Sequence, residues 1–316
     1  MEEYPAMFTI PIVVLVLLFL LCVTQLVSAS AAADLPARGK KTRVTGGRLH
    51  WVEEGSGPPV VMIHGLAGSL DNFTYAMTGA FEGQVRAIAV DRPGCGWSER
   101  DGVKFAELNR QARMIAEFIE AEGLDRPVVV GHSLGGTVAL LLALNHPAQV
   151  GGLVLLCPAT ARLDKTPPAF RGIDIAKQDL VPAIGYGMSG LAAKGIERSV
   201  LEQVFAPEPV APDFMMRGGA ILARRASSYI AAAQDLAASR DGFRLLGGRA
   251  GEIEVPISVV YGAEDKVLDP TLHGRDFAER VGCDYTELEG RGHLIPVTAA
   301  ADCADAVRRV LARVHQ

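Results

Sequence analysis

The chain has little basic character. Its 31 Lys and Arg residues are outnumbered by 36 Asp and Glu, leaving a net charge of −5 over 316 residues. Such a balance predicts no cationic face and argues against nucleic acid as a partner. A cysteine framework is missing too. Cys22, Cys95, Cys157, Cys283 and Cys303 are odd in number, scattered, and free of the C-x-x-C spacing that metal sites use. They read as small hydrophobes in a reducing compartment. There is no internal repeat. What the chain has in quantity is apolar residues, 49% of the total, against 21% charged. That composition suits one large globular domain with an added membrane segment.

The membrane segment is the run over residues 8–28, FTIPIVVLVLLFLLCVTQLVS. As a helix it is long enough to cross ~30 Å of hydrocarbon. A secretory signal wants positive charge ahead of such a run and small residues behind it. The small residues are present from Ser28 to Ala33, but Glu2 and Glu3 stand where the positive charge belongs. Arg38, Lys40, Lys41 and Arg43 lie on the far side. By the positive-inside rule that side is cytoplasmic. The expectation is an uncleaved single-span anchor with its N-terminus outside and the rest of the chain cytoplasmic. The alternative is cleavage near Ala31 and export. Residues 1–42 are assigned to anchor and linker, with the linker over 29–42, and residues 43–316 to the globular domain.

Within that domain, residues 43–57 read as a hairpin around Gly46-Gly47. A short continuous apolar run at 59–63 suits a strand covered on both faces, and further strands are expected at 85–90, 128–130, 153–156, 257–261 and 285–288. Helical periodicity separates them. Over 106–122 it places Leu108, Ala112, Ile115, Ala116 and Ile119 on one face, and over 297–314 it turns Val307, Val310, Leu311 and Val314 inward. The alternation predicts an α/β fold with a mostly parallel sheet and helices on both faces. Residues 161–251 break it. They carry helical stretches at 193–204, 215–225 and 228–238 but no convincing strand. The reading is a helical cap over the sheet, with Met188, Phe214, Met215, Met216 and Tyr229 as candidate pocket residues.

The most informative stretch is Val128-Val129-Val130-Gly131-His132-Ser133-Leu134-Gly135, followed at once by an Ala/Leu-rich helix. It is G-x-S-x-G in the setting of strand, tight turn and helix. A side chain on so sharp a turn needs neighbours without a Cβ, and Gly131 and Gly135 supply them. The helix N-terminus then favours negative charge beside the Ser133 hydroxyl. A serine becomes nucleophilic only when a base takes its proton and a third group orients that base. His293, in the Gly290-Arg291-Gly292-His293 loop between a strand and the last helix, is the candidate base. His132 adjoins the serine, but strand alternation predicts that it points away. His50, His146, His273 and His315 lack the context. The acid is expected after the strand at 257–261. Asp265 comes first there, with Glu264 and Asp269 as alternatives.

With those residues in view, the chain from about residue 43 onward resembles the α/β-hydrolase family. The resemblance rests on His64-Gly-Leu-Ala-Gly-Ser69, Asp91-Arg-Pro-Gly-Cys-Gly-Trp-Ser98, Gly131-His-Ser-Leu-Gly135, Gly262-Ala-Glu-Asp265 and Gly292-His293 taken together. It implies Ser133 as nucleophile, Asp265 as acid and His293 as base. The backbone N–H groups of Leu66 and Leu134 become the oxyanion hole. The Asp91–Ser98 loop becomes a structural turn beside the site. Family members that are dehalogenases or epoxide hydrolases carry an aspartate where this chain has Ser133. The expected chemistry is acyl transfer to water, without metal or organic cofactor, on a small hydrophobic acyl substrate such as a carboxylic ester. The same triad serves C–C bond hydrolases and perhydrolases, and some members of this fold bind ligands without turning them over.

Overall fold

The computed structural model describes residues 6–314. Glu2, Glu3 and His315 lie outside the described residues. The first element is a helix, α1 (Ala6–Asp34), with no polar stripe through its apolar run. It extends further than the sequence predicts, because Ser-Ala-Ser-Ala-Ala-Ala favours continued helix over linker. The connection is therefore not 29–42 but residues 35–39, and β1 (Lys40–Val44) begins before residue 43. β1 pairs antiparallel with β2 (Gly47–Glu54). Their register sets Val44 opposite Gly47, so the two-residue turn is Thr45-Gly46, one position earlier than expected.

The remaining strands are β3 (Pro59–Ile63), β4 (Arg86–Val90), a two-residue β5 (Glu99–Arg100), β6 (Val128–His132), β7 (Gly152–Leu156), β8 (Ile257–Gly262) and β9 (Asp284–Leu288). Sheet order is β1-β2-β4-β3-β6-β7-β8-β9, with β5 on β2. β4, β3, β6, β7, β8 and β9 run parallel. Only the edge contributed by β1, β2 and β5 is antiparallel. The Val- and Leu-rich strands β6 and β7 are buried at every position, as strands covered on both faces must be. The chain leaves β3 toward β4 and later returns past it to β6. This reversal opens a crevice at the carboxyl ends of β3 and β6, the usual ligand position in such sheets.

Helices α2 (Leu108–Ala121) and α3 (Leu134–Asn145) pack together, and the buried face of α2 is the one its periodicity predicts. Trp51 on β2 meets Phe118 on α2 edge-on, with ring centres 5.6 Å apart. The cap contains two long helices, α4 (Val181–Phe205) and α5 (Ala226–Leu246), each longer than its sequence signal. The stretch at 215–225 is not one helix. Gly218-Gly219 splits it into Phe214–Arg217 and a 3-10 turn at Ala220–Arg224. After α6 (Asp276–Val281), the last helix, α7 (Ala300–Val314), starts three residues late, and a separate turn occupies Ile295–Thr298.

Candidate active site

The crevice is built from four strand ends. β6 runs into the turn at Ser133, whose φ of 53° and ψ of −121° lie where non-glycine residues rarely go. The turn closes only because its glycines leave room. A Cβ on Gly135 would sit 2.2 Å from the Ile63 carbonyl oxygen, and one on Gly131 would sit 2.6 Å from that of Gly135. Leu134 opens α3, so its N–H has no partner within the helix. From the neighbouring strand β3 the His64-Gly65-Leu66 loop comes close. A Cβ on Gly65 would lie 2.9 Å from that of Ser133. The N–H groups of Leu66 and Leu134 donate no hydrogen bond among the described residues. Both remain free to meet an incoming oxygen.

The loop after β8 supplies Asp265, and the loop after β9 supplies His293. His293 Nδ1–H donates to Asp265 Oδ2 at 2.6 Å, with both side chains buried. The other carboxylate oxygen accepts from the N–H groups of Val267 and Leu268, at 2.7 and 3.0 Å. Asp265 is therefore held at both oxygens, and the imidazole presents Nε2 to the crevice. Ser133 and His293 line the same cavity of about 340 Å³. The Ser133–His293 hydrogen bond is not closed in this structure; such bonds often tighten only with substrate in place. The alternative acids do not reach the histidine. Asp269 accepts the Thr271 N–H, and Glu264 Oε2 is buried without a partner among the described residues.

Two of the other candidate histidines are engaged elsewhere. His50 bonds Asp91 at 2.7 Å, and His273 Nδ1 accepts the Thr160 N–H at 3.2 Å. His146 follows the end of α3. His132 departs from expectation. It does not point away but lines the cavity, and its Nε2–H donates to the His293 carbonyl at 2.9 Å. Burial drives His132 down to about 3 and His64 down to about 4, so both rings are neutral near pH 7. Glu208, at the cap's edge, was not legible as a site residue. Its carboxylate accepts from Arg291 at 2.7 Å, from the Gly292 N–H at 3.0 Å and from Thr298 at 3.0 Å, fixing the loop that carries His293.

The cap walls the cavity with Met188, Phe214, Met215 and Tyr229, as expected, whereas Met216 stays outside it. The lining is largely apolar. Its two acidic and basic side chains, Glu197 and Arg224, bond each other at 2.6 and 2.8 Å. A second hollow of about 500 Å³ against the β1–β2 hairpin holds none of the expected site residues. Cys157, Asp265 and His293 bring possible metal-ligand atoms within 4.8 Å of one another. The donor set suits a metal poorly. Burial pushes the Cys157 thiol well above its ordinary range, and Asp265 and His293 already satisfy each other.

Comparison with known proteins agrees with this architecture. The chain is 36% identical over 110 residues to haloalkane dehalogenase 2 of Mycobacterium tuberculosis, covering 34% of this chain and 38% of that one. It therefore spans little more than a third of that relative's length. It is 30% identical over 238 residues to the 2-hydroxy-6-oxononadienedioate/2-hydroxy-6-oxononatrienedioate hydrolase of Paraburkholderia xenovorans, covering 70% of this chain and 75% of that one. Among solved structures, a membrane phospholipase A superposes with a TM-score of 0.68 at 22% identity, covering all of both chains, a likeness of fold. Residues 60–306 match the alpha/beta hydrolase family. The chain belongs to that family.

Proposed function

We propose that the protein is a serine hydrolase that cleaves a carboxylic ester, or a related acyl bond, of a hydrophobic substrate. The observation that carries this reading is the His293–Asp265 bond of 2.6 Å, opening onto the same apolar cavity as the strained Ser133 turn. Ser133 Oγ attacks the acyl carbonyl while His293 Nε2 takes its proton. Asp265 keeps the ring oriented and stabilises its positive charge. The carbonyl oxygen, now negative, accepts from the Leu66 and Leu134 N–H groups; one such donor is typically worth about 10²–10³ in rate. His293 then protonates the leaving alcohol, and water attacking the acyl-serine is deprotonated by the same ring. The residues above need no cofactor for these steps.

A fluorophosphonate probe tests the reading. It is expected to label wild type and not Ser133→Ala, and hydrolysis of a graded set of acyl esters is expected to vanish in the same variant. A folded wild type that neither labels nor turns over any ester overturns the proposal and leaves a binding protein. A second reading, C–C bond hydrolysis, draws on the Paraburkholderia relative. The lining argues against that relative's named dioate substrates. Arg224, the cavity's one guanidinium among the described residues, is already committed to Glu197. The N-terminal helix serves in this proposal as an uncleaved single-span anchor, with the catalytic domain on the cytoplasmic side.

A further inference from the structure

The anchor does not lead away from the domain; its second half lies along the cap. Leu20, Val23, Thr24, Val27, Ser28 and Ala31 recur at helical spacing and are among its sheltered positions. Thr24 Oγ1 donates to the Gly187 carbonyl at 3.2 Å, and the Ala226 N–H donates to Ser28 Oγ at 3.0 Å. A Cβ on Gly190 would lie 3.1 Å from Thr24 Cα, so α1 and α4 are in backbone contact. Thr24 and Val27 belong to the apolar run itself, which ends at Ser28. At 1.5 Å per residue, Thr24 lies ~6 Å inside that end. The facing turn of α4 is thereby set at the depth of the acyl–headgroup boundary. Around it α4 leaves Tyr186, Met188 and Ile196 exposed, and Leu180 stands exposed just before its first turn. Met188 and Ile196, 55% and 49% exposed, also line the cavity.

We infer that α4 rests in the membrane surface and that the cavity opens toward the bilayer, admitting acyl esters of membrane lipids sideways from the leaflet. The substrate class rests on the hydrolase reading above; the membrane contact does not. Full-length protein in phosphatidylcholine/phosphatidylglycerol vesicles provides the test. Tyr186→Trp adds an emission that lipids brominated along the acyl chain are expected to quench; an unquenched increment overturns the contact. Leu180→Glu with Tyr186→Glu is expected to keep the rate on a water-soluble short-chain ester and to lower that on a vesicle-embedded long-chain ester about ten-fold or more. Equal embedded-ester rates overturn the sideways route. A wild type inactive on both esters instead fails the hydrolase reading, and quenching still decides the contact.

A separate set of contacts assigns work to the Asp91–Ser98 turn. Arg92 is wholly buried, and its guanidinium donates to the His64 carbonyl at 2.9 Å and the Gly65 carbonyl at 3.0 Å. His64 Nδ1–H donates to the same Gly65 oxygen at 2.8 Å, while His64 Nε2 accepts the Arg92 N–H. In a trans peptide the carbonyl and the following N–H point oppositely. Pinning Gly65 C=O therefore aims the Leu66 N–H. The far side of the guanidinium is held by cap helix α5, where Asp235 Oδ2 accepts from Arg92 at 2.6 Å and Oδ1 from Arg100 at 2.6 Å. Gln111 accepts from Arg92 at 2.9 Å. The geometry points to Arg92 and Asp235 as positioning residues for the oxyanion hole, linking the cap to the donor. Asp235→Asn is expected to slow fluorophosphonate labelling of Ser133 and to lower kcat about ten-fold at little-changed KM. Should that variant not fold, Gln111→Met is read the same way. Labelling as fast as wild type overturns the assignment; an unlabelled wild type fails the hydrolase reading instead.

Discussion

Ser133 sits in a backbone conformation that non-glycine residues rarely adopt, and the residues around it are chosen by space. Gly135→Ala would drive a methyl group into the rigid β3 backbone at 2.2 Å. We expect a loss of roughly 2–4 kcal/mol, seen as a lowered thermal midpoint and slowed probe labelling. The buried histidines set a pH dependence. His64 and His132 fall from 6.5 to about 4 and about 3 on folding, chiefly through burial. Between those values and 6.5 the unfolded chain binds more protons than the folded one, so stability is full above pH 6.5 and declines as pH falls. At pH 5 the loss is of order 2 kcal/mol for each ring. Chemical denaturation at pH 7.5 and pH 5 measures it; equal midpoints would contradict the assignment. That Ser133, Asp265 and His293 converge on one crevice was legible in the sequence because each sits in a short local pattern that its backbone requires. Arg92, Glu208 and the contact of His132 were not. Their partners are up to 161 residues away, at positions no local spacing encodes.

At the scale of elements, the connection between the two long cap helices has a task of its own. Just after α4, Glu208 clamps the loop after β9. Removing that carboxylate leaves the Gly292 N–H without its acceptor and lets His293 wander. Glu208→Ala is expected to lower kcat about three- to ten-fold on a soluble ester, with a stability loss of about 1–2 kcal/mol. A rise in KM larger than the fall in kcat would argue that Glu208 touches substrate instead. The central parallel strands β3, β6, β7 and β8 were legible as short apolar runs, whereas β9, Asp-Tyr-Thr-Glu-Leu at the sheet edge, is only partly covered; the helices at 108–121 and 300–314 were legible as one-sided periodicity. Cap helix ends were not. Ala, Ser and Gly fill both α4 and α5, so neither a capping residue nor an apolar stripe marks where they begin. Packing against α1 and α2 settles their length instead.

For the whole molecule, the prediction concerns the anchor. If α1 is retained, the protein isolated from membranes keeps its full 33.5 kDa, stays with the membrane through alkaline carbonate, and begins upstream of Pro11. A mature N-terminus near Ala31 would contradict this. It would also strip Thr24, Val27 and Ser28 from the cap and leave Gly187 and Gly190 facing water. Between Asp34 and Lys40 only residues 35–39 remain as tether. Five residues reach at most ~18 Å even fully stretched. If α1 is retained in a bilayer, so short a leash confines the domain to a thin layer rather than a volume. Under the proposed hydrolysis of membrane esters, its encounter rate would then follow how crowded the leaflet is with substrate, and adding inert lipid at constant total ester is expected to slow turnover as surely as removing ester.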